Sequence, residues 1–416
     1  MNYFKFIFLF CILDFWAFNF VSAALIDGKL GTVTAGATLK ATYDSRVFAI
    51  SSTEFSERKN NSTAGSSELE SEDDFIISFS PTLNFASKFG LIKLSGSAGV
   101  NVVQYIINNK KSYVVPTTSF SIDFDDTLAL KKRLSNNAKI RFESTFDLGQ
   151  VVGASVLDQD LVSYTYFTAG FNVRYNHSEK FGLGGGTNYS YRFYQTDQSS
   201  DNQPNFDFST LPITARAFYI YSEKLDFFTN YTFSSTKARK KDANELTSSN
   251  SHSISIGADG QFSPKFGGTA SIGYSLVDFL NSSTQNQDNI ITSLSLKISH
   301  NSKTSSNFNV SRSFSPTATG ASTFTTSLGY GLNHRFTEDW SGGVNITTGF
   351  TDFSSIGPGG NLNQYDMSSY GLGFTTSKIL SRYFTLSGGY NFTHAQGSNT
   401  DSYNRHVIYS QLSGRF

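Results

Sequence analysis

Ionisable side chains in this chain recur at every second position of segments that are otherwise apolar. In Phe120-Ser121-Ile122-Asp123-Phe124-Asp125, Asp123 and Asp125 share one side with Ser121, and Phe120, Ile122 and Phe124 take the other. In Lys139-Ile140-Arg141-Phe142-Glu143 the charged Lys139, Arg141 and Glu143 again alternate with apolar residues. Arg174, Arg192 and Arg216 hold the polar parity of three later segments. A period of two puts successive side chains on opposite faces of a strand. Acids on one strand and arginines on the strands that follow would set a transverse field across an aqueous path. Such a field orders dipolar solutes and filters ions, because charges beside a narrow wet path act with little screening. The competing expectation is that these groups only neutralise one another along a wall.

Other residue types point to no chemistry of their own. The six histidines, His177, His252, His300, His334, His394 and His406, come with no serine or carboxylate motif of the kind an exposed hydrolase site needs. They also lack metal-ligand spacing, so no catalytic, metal or cofactor site is expected. Gly182-Leu183-Gly184-Gly185-Gly186 opens a strand with no helix after it, which removes the phosphate-loop reading and leaves close wall packing or a bend. Arg312, in Phe308-x-Val310-x-Arg312-x-Phe314, has apolar-face parity and is expected to snorkel to headgroups at a membrane rim.

The elements that carry these residues follow from a repeat. Eight short turns, at 87–90, 132–135, 179–182, 222–225, 264–267, 301–304, 337–340 and 377–380, recur every 36 to 47 residues. Two alternating segments joined by a longer polar loop lie between consecutive turns, which is a hairpin repeat. Eight turns give sixteen strands; the segments Gly31 to Val47 and Tyr403 to Phe416 bring the total to eighteen, with sixteen to twenty as the range. An even strand number, short turns at one end and long loops at the other describe an all-β, antiparallel, up-and-down transmembrane barrel. In such a barrel the turns are periplasmic and the longer loops extracellular. Arginine or lysine on the lipid face costs about 2 to 4 kcal/mol at the midplane, so the charged parity must face a wet interior. The longest loop, 48–72, is a candidate for folding into the lumen, where its acids would meet a basic wall.

Bulk composition agrees. Aromatics are 15 % of the chain, with 40 Phe and 21 Tyr, yet the hydrophobic share is 38 %. That balance suits strands greasy on one face and wet on the other better than a soluble core. With 33 basic and 33 acidic residues, no charge excess points to nucleic acid. Lys5, the apolar run Phe6 to Phe20 and Val21-Ser22-Ala23 are expected to form a signal peptide over 1–23, leaving 24–416 as the barrel. Asp14 is an unusual member of that run, and Cys11, the sole cysteine, would leave with it.

The chain ends Val407-Ile408-Tyr409-Ser410-Gln411-Leu412-Ser413-Gly414-Arg415-Phe416, with Phe416, Leu412 and Ile408 on one parity. With the repeated hairpins and the leader, this ending resembles Gram-negative outer-membrane porins, and most of all the class of β-barrel porins often associated with exopolysaccharide gene clusters. The resemblance implies the outer membrane as location, its lipids and the barrel assembly machinery as partners, and Phe416 as the assembly signal. It also admits polysaccharide-export proteins or further copies of the chain as partners. An eighteen-stranded barrel encloses an aqueous path. The expected function is therefore passive diffusion of small hydrophilic solutes. The alternatives are an outer-membrane component of exopolysaccharide export and a closed structural or adhesive barrel.

Overall fold

In a computed structural model, the structure describes residues 26–28, 31–60, 69–90, 92–124, 139–155, 160–194, 207–239, 246–280, 286–317, 321–356, 362–398 and 402–416. The expected leader and the turn at 132–135 lie outside them. A short β1 (Ile26–Gly28) pairs with β2 (Gly31–Asp44), and β3 (Asp74–Phe89), β4 (Ile92–Tyr105) and β5 (Tyr113–Phe124) follow. The wall continues through β6 (Lys139–Ser155), β7 (Asp160–Asn176), β8 (Phe181–Tyr194), β9 (Phe208–Ser222) and β10 (Leu225–Ala238). Next come β11 (Ser249–Ser263), β12 (Phe266–Phe279), β13 (Gln287–Ser299), β14 (Thr304–Pro316) and β15 (Ser322–Arg335). The last strands are β16 (Trp340–Ile356), β17 (Leu362–Ile379), β18 (Phe384–Gly397) and β19 (Tyr403–Arg415). Consecutive strands are neighbours, and β19 pairs antiparallel with β2, so eighteen long strands form a ring. Among the described residues no helix is long and apolar enough to cross a membrane.

Alternation sorts the two faces. On β11 to β13 the outer face carries Ile254, Ile256, Ile272 and Ile290, each more than half exposed, while Ser253, Ser255, Ser271 and Ser293 take the inner face. The short turns fall where the hairpin repeat puts them, with small shifts. The expected 377–380 turn sits at 380–383, because Ser377↔Ser387 and Ile379↔Thr385 remain paired and Ser381 Oγ then accepts from the Phe384 N–H. The loop expected near 150–160 is mostly strand, since pairing runs on to Ser155↔Asp160.

The described parts of the connection, 45–60 and 69–72, turn inward, and the acids Glu54, Glu57 and Glu68 lie outside the described side chains. Val47, Phe48, Ile50 and Leu69 bury themselves against the inner-face side chains Val103 and Tyr105. Phe48 and Ala49 adopt left-handed backbone (φ 61° and 58°) to make that turn. Such non-glycine strain costs of order 1–3 kcal/mol per residue, which burial of Phe48 and Ile50 offsets. A nine-residue helix, Ser52–Asn60, follows where the sequence reads as plain loop. Glu72 pairs with Arg46 at 3.0 Å. The buried Asp74 carboxylate accepts from the backbone N–H groups of Ile106, Ile107 and Asn108 at 2.8–2.9 Å. Asn108 Oδ1 in turn accepts from the N–H groups of Glu70 and Ser71.

A second departure lies between β13 and β14. Their ladder stops at Thr292↔Arg312, whereas β13 stays paired with β12 as far as Val277↔Gln287. Above that point the β14–β16 edge curls over the inner face of β12 and β13. Phe314 and Phe324, of outer parity, pack with Leu246 and the inner-face Val277 and Phe279. Gln287 Nε2 donates to Ser354 Oγ across two intervening strands. Arg312 therefore holds a seam and does not reach for headgroups. It donates to Asn289 Oδ1 (3.1 Å) on β13, to Thr326 Oγ1 and to Asp352 Oδ2 (3.3 Å) on β16.

Asp74→Ala leaves the Ile107 and Asn108 amides without an acceptor and Ile106 with only the Phe75 carbonyl, a local cost of about 3 kcal/mol. The expected result is roughly a hundredfold larger open population of the 45–72 connection. Limited trypsinolysis after Arg58 and Lys59 measures this, and the heat-resistant folded band on gels should be unchanged.

Candidate functional site: the lumen wall

The inner face begins as a sequence consequence. Residues at every second position from Thr42 on β2 round to Tyr409 on β19 share it through direct cross-strand pairing. Its most charged sector is β7 to β11. The register row Arg174↔Gly184↔Arg216↔Asn230 places two arginines on either side of a glycine. A Cβ on Gly184 would lie 2.9 Å from the Phe218 ring, and one on Gly257 would lie 2.7 Å from Phe228. These glycines let both rings lie flat on the wall, and the guanidiniums stack on them. Arg174 sits 4.3 Å from the Phe218 centroid, and Arg216 sits 5.6 Å from Phe218 and 4.1 Å from Phe228. Guanidinium over an aromatic face contributes about 0.5–2 kcal/mol and keeps the charge without neutralising it.

The two expectations for these charges divide between residues. Arg174 Nη2 reaches diagonally to Asp226 Oδ2 at 2.7 Å and also donates from Nε to Asn176 Oδ1, so its charge is answered locally. Arg216 and Arg192 form no ion pair among the described residues. Arg192 instead lies 5.5 Å from the Tyr164 ring and 5.4 Å from Phe208. Asp226 and Asp259 face each other in the β10–β11 ladder beside this group.

Of the other expected lining residues, Asp123 pairs in register with Lys93. Lys139, Arg141 and Glu143 pair with Asn176, Arg174 and Asn172. The side chains of these four lie outside the described residues, as does Asp125 altogether. Phe416 extends the last ladder by exchanging backbone hydrogen bonds with Ala35 at 2.7 and 3.0 Å, and its ring meets Phe384 edge-on at 5.7 Å. His252 and His406 lie on the outer face beside the Tyr231 and Tyr390 hydroxyls, at 2.8 and 2.9 Å.

Sequence reasoning passed over several inner-face charges. Asp226 and Asp259 share parity with Phe228 and Gly257, and Lys40 stands over the Tyr409 ring at 4.8 Å. Near the long-loop end, Arg405 forks onto Asp44 with Nε–Oδ1 at 2.9 Å and Nη2–Oδ2 at 2.6 Å. Parity alone would have found each of these positions, but not the diagonal pairings.

The family model described as "Putative beta-barrel porin 2" matches residues 48–416, nearly the whole ring just traced. The chain belongs to this family. This β-barrel porin is of the outer-membrane type. Among curated proteins no relative matches. In three dimensions it is similar, at low score, to OccAB4 of Acinetobacter baumannii, with TM-score 0.45, 14 % identity, 92 % of this chain and 98 % of that one. It has a like similarity to OpdK of Pseudomonas aeruginosa, with TM-score 0.44, 11 % identity, and 92 % and 99 % of the two chains.

Asp226→Asn frees the Arg174 guanidinium from its counter-charge. The expected outcome is a reversal potential moved toward anions by on the order of 10 mV, out of the roughly 59 mV a tenfold salt gradient can drive. Planar-bilayer recording reads it directly.

Proposed function

We propose that this porin is a passive channel of the Gram-negative outer membrane, carrying small hydrophilic solutes down their gradients through a polar lumen. The observation that carries this reading is the largely polar parity of the described inner face, from Thr42 and Lys40 on β2 round to Gln411 and Tyr409 on β19, against an apolar outer face. A barrel of about eighteen strands is too wide for side chains to fill. Selection would come from width, set partly by the 45–72 connection, and from wall charge. Arg216 and Arg192 would supply charge without an ion-pair partner, with Arg174 balanced by Asp226.

Single-channel recording of refolded protein tests the proposal. Stable steps of nanosiemens scale are expected. Arg192→Ala with Arg216→Ala should lower anion preference more than Arg174→Ala does, because only the last of these charges is already paired. Well-folded barrels that pass no current would overturn the open-channel reading.

A further inference from the structure

Away from the arginines, the inner face of β14 to β18 bears a second pattern that ion selection does not use. One register row crosses five consecutive strands as Asn307, Gly331, Asn345, Gly373 and Asn391. The glycines are where the amides lie down. A Cβ on Gly331 would come within 2.5 Å of Asn307 Oδ1, and one on Gly373 would collide with the Oδ1 atoms of both Asn345 and Asn391. The neighbouring row repeats the device, with Asn333 Oδ1 lying 2.7 Å from where a Gly343 Cβ would stand.

Three further observations give the row a meaning. The amides of Asn307, Asn345 and Asn391 are half-exposed and make no side-chain hydrogen bond within the described protein, so no described protein group occupies their donors and acceptors. The described inner face of β14 to β18 carries no carboxylate, and the hydroxyls of Thr347 and Thr375 flank the row. Beyond β18 the row meets Val407, and in the adjacent row the Tyr409 ring lies over Gly389, where a Cβ would approach Cε1 to 2.7 Å. The wall there is flat and rich in donors and acceptors, with Lys297 facing Asn307 at one edge and Lys40 over the Tyr409 ring beyond the other.

An amide offers two donors and an acceptor without charge, which matches vicinal hydroxyls and gives an ionic solute no counter-ion. Alternate strands place the three asparagine backbones roughly 9–10 Å apart, twice the strand spacing, and the Asn345 and Asn391 amides lean toward each other over Gly373. Like groups carried on alternate strands let a ligand exchange partners stepwise and avoid deep trapping. We infer that this amide row is a sliding surface for neutral oligosaccharides, chains of uncharged polyhydroxylated rings. The inference deepens the channel reading and rests on it for access through the lumen.

The test compares maltohexaose with polyethylene glycol of matched size as blockers of single-channel current. Sugar blocks should last at least tenfold longer than polymer blocks. In the Asn307→Ala, Asn345→Ala, Asn391→Ala triple variant they should shorten to the polymer level, at unchanged conductance. Gly373→Ala keeps all three amides but lifts two of them, so it should shorten sugar blocks as well. Equal blocking by sugar and polymer, or blocks indifferent to the triple variant, overturns the inference. If the protein folds but passes no current, the channel reading falls by itself. Saturation-transfer NMR of maltohexaose with the protein in detergent then decides the row separately. Transfer that is present and lost in the triple variant supports the surface, and no transfer overturns it.

Discussion

Hydrocarbon offers a peptide group no hydrogen-bond partner, and every other feature of this molecule depends on that constraint. A strand in lipid must satisfy its N–H and C=O groups sideways, and so must its neighbour, until the ladder meets itself. Here the meeting point is β19 against β2, with Phe416 adding one more exchange of backbone bonds to Ala35. Once the ring is obligatory, the two-residue period decides which side chains touch lipid and which touch water. The charged positions of the chain then have a single place to go.

On the wet side, glycine decides how close the wall's furniture stays to the backbone. Phe218 rests over Gly184, Phe228 over Gly257, Asn307 over Gly331, and Tyr409 over Gly389. Each flattened side chain leaves lumen space that an upright one would fill. The same device serves two chemistries. Over the β8–β11 sector it makes aromatic floors for guanidiniums, and over β14–β18 it makes a carpet of amides. The glycine-rich run at 182–186 belongs to the first of these, and its contribution is space.

Much of this was legible in the sequence because it is local. Turn residues, alternation and the parity of Arg174, Arg192 and Arg216 are properties of a few neighbouring residues, and the ladders follow them. What escaped was non-local. Arg174 meets Asp226 three strands away because the wall is concave and side chains on a concave face converge. Arg312 has lipid parity in its own strand, yet the sheet leaves its cylindrical course just above it, so parity no longer reports environment. The 45–60 segment looked like loop because its burial depends on Val103 and Tyr105, about fifty residues later in the chain. Hydrophobic pattern cannot register a partner that lies outside its window.

Asp44 and Arg405 are separated by 361 positions, yet they share two short hydrogen bonds. Their neighbours on β2 and β19 are the first and last long strands of the ring. Every other ladder in it joins strands adjacent in sequence and can zip as a local event. The final ladder cannot, because its loop-closure entropy involves nearly the whole polypeptide. Until it forms, the sheet is an open ribbon with two unpaired edges, liable to pair with whatever strand it meets. The Asp44–Arg405 fork thus sits on the step that converts an aggregation-prone intermediate into a sealed wall. Time spent before that step is the molecule's period of greatest vulnerability.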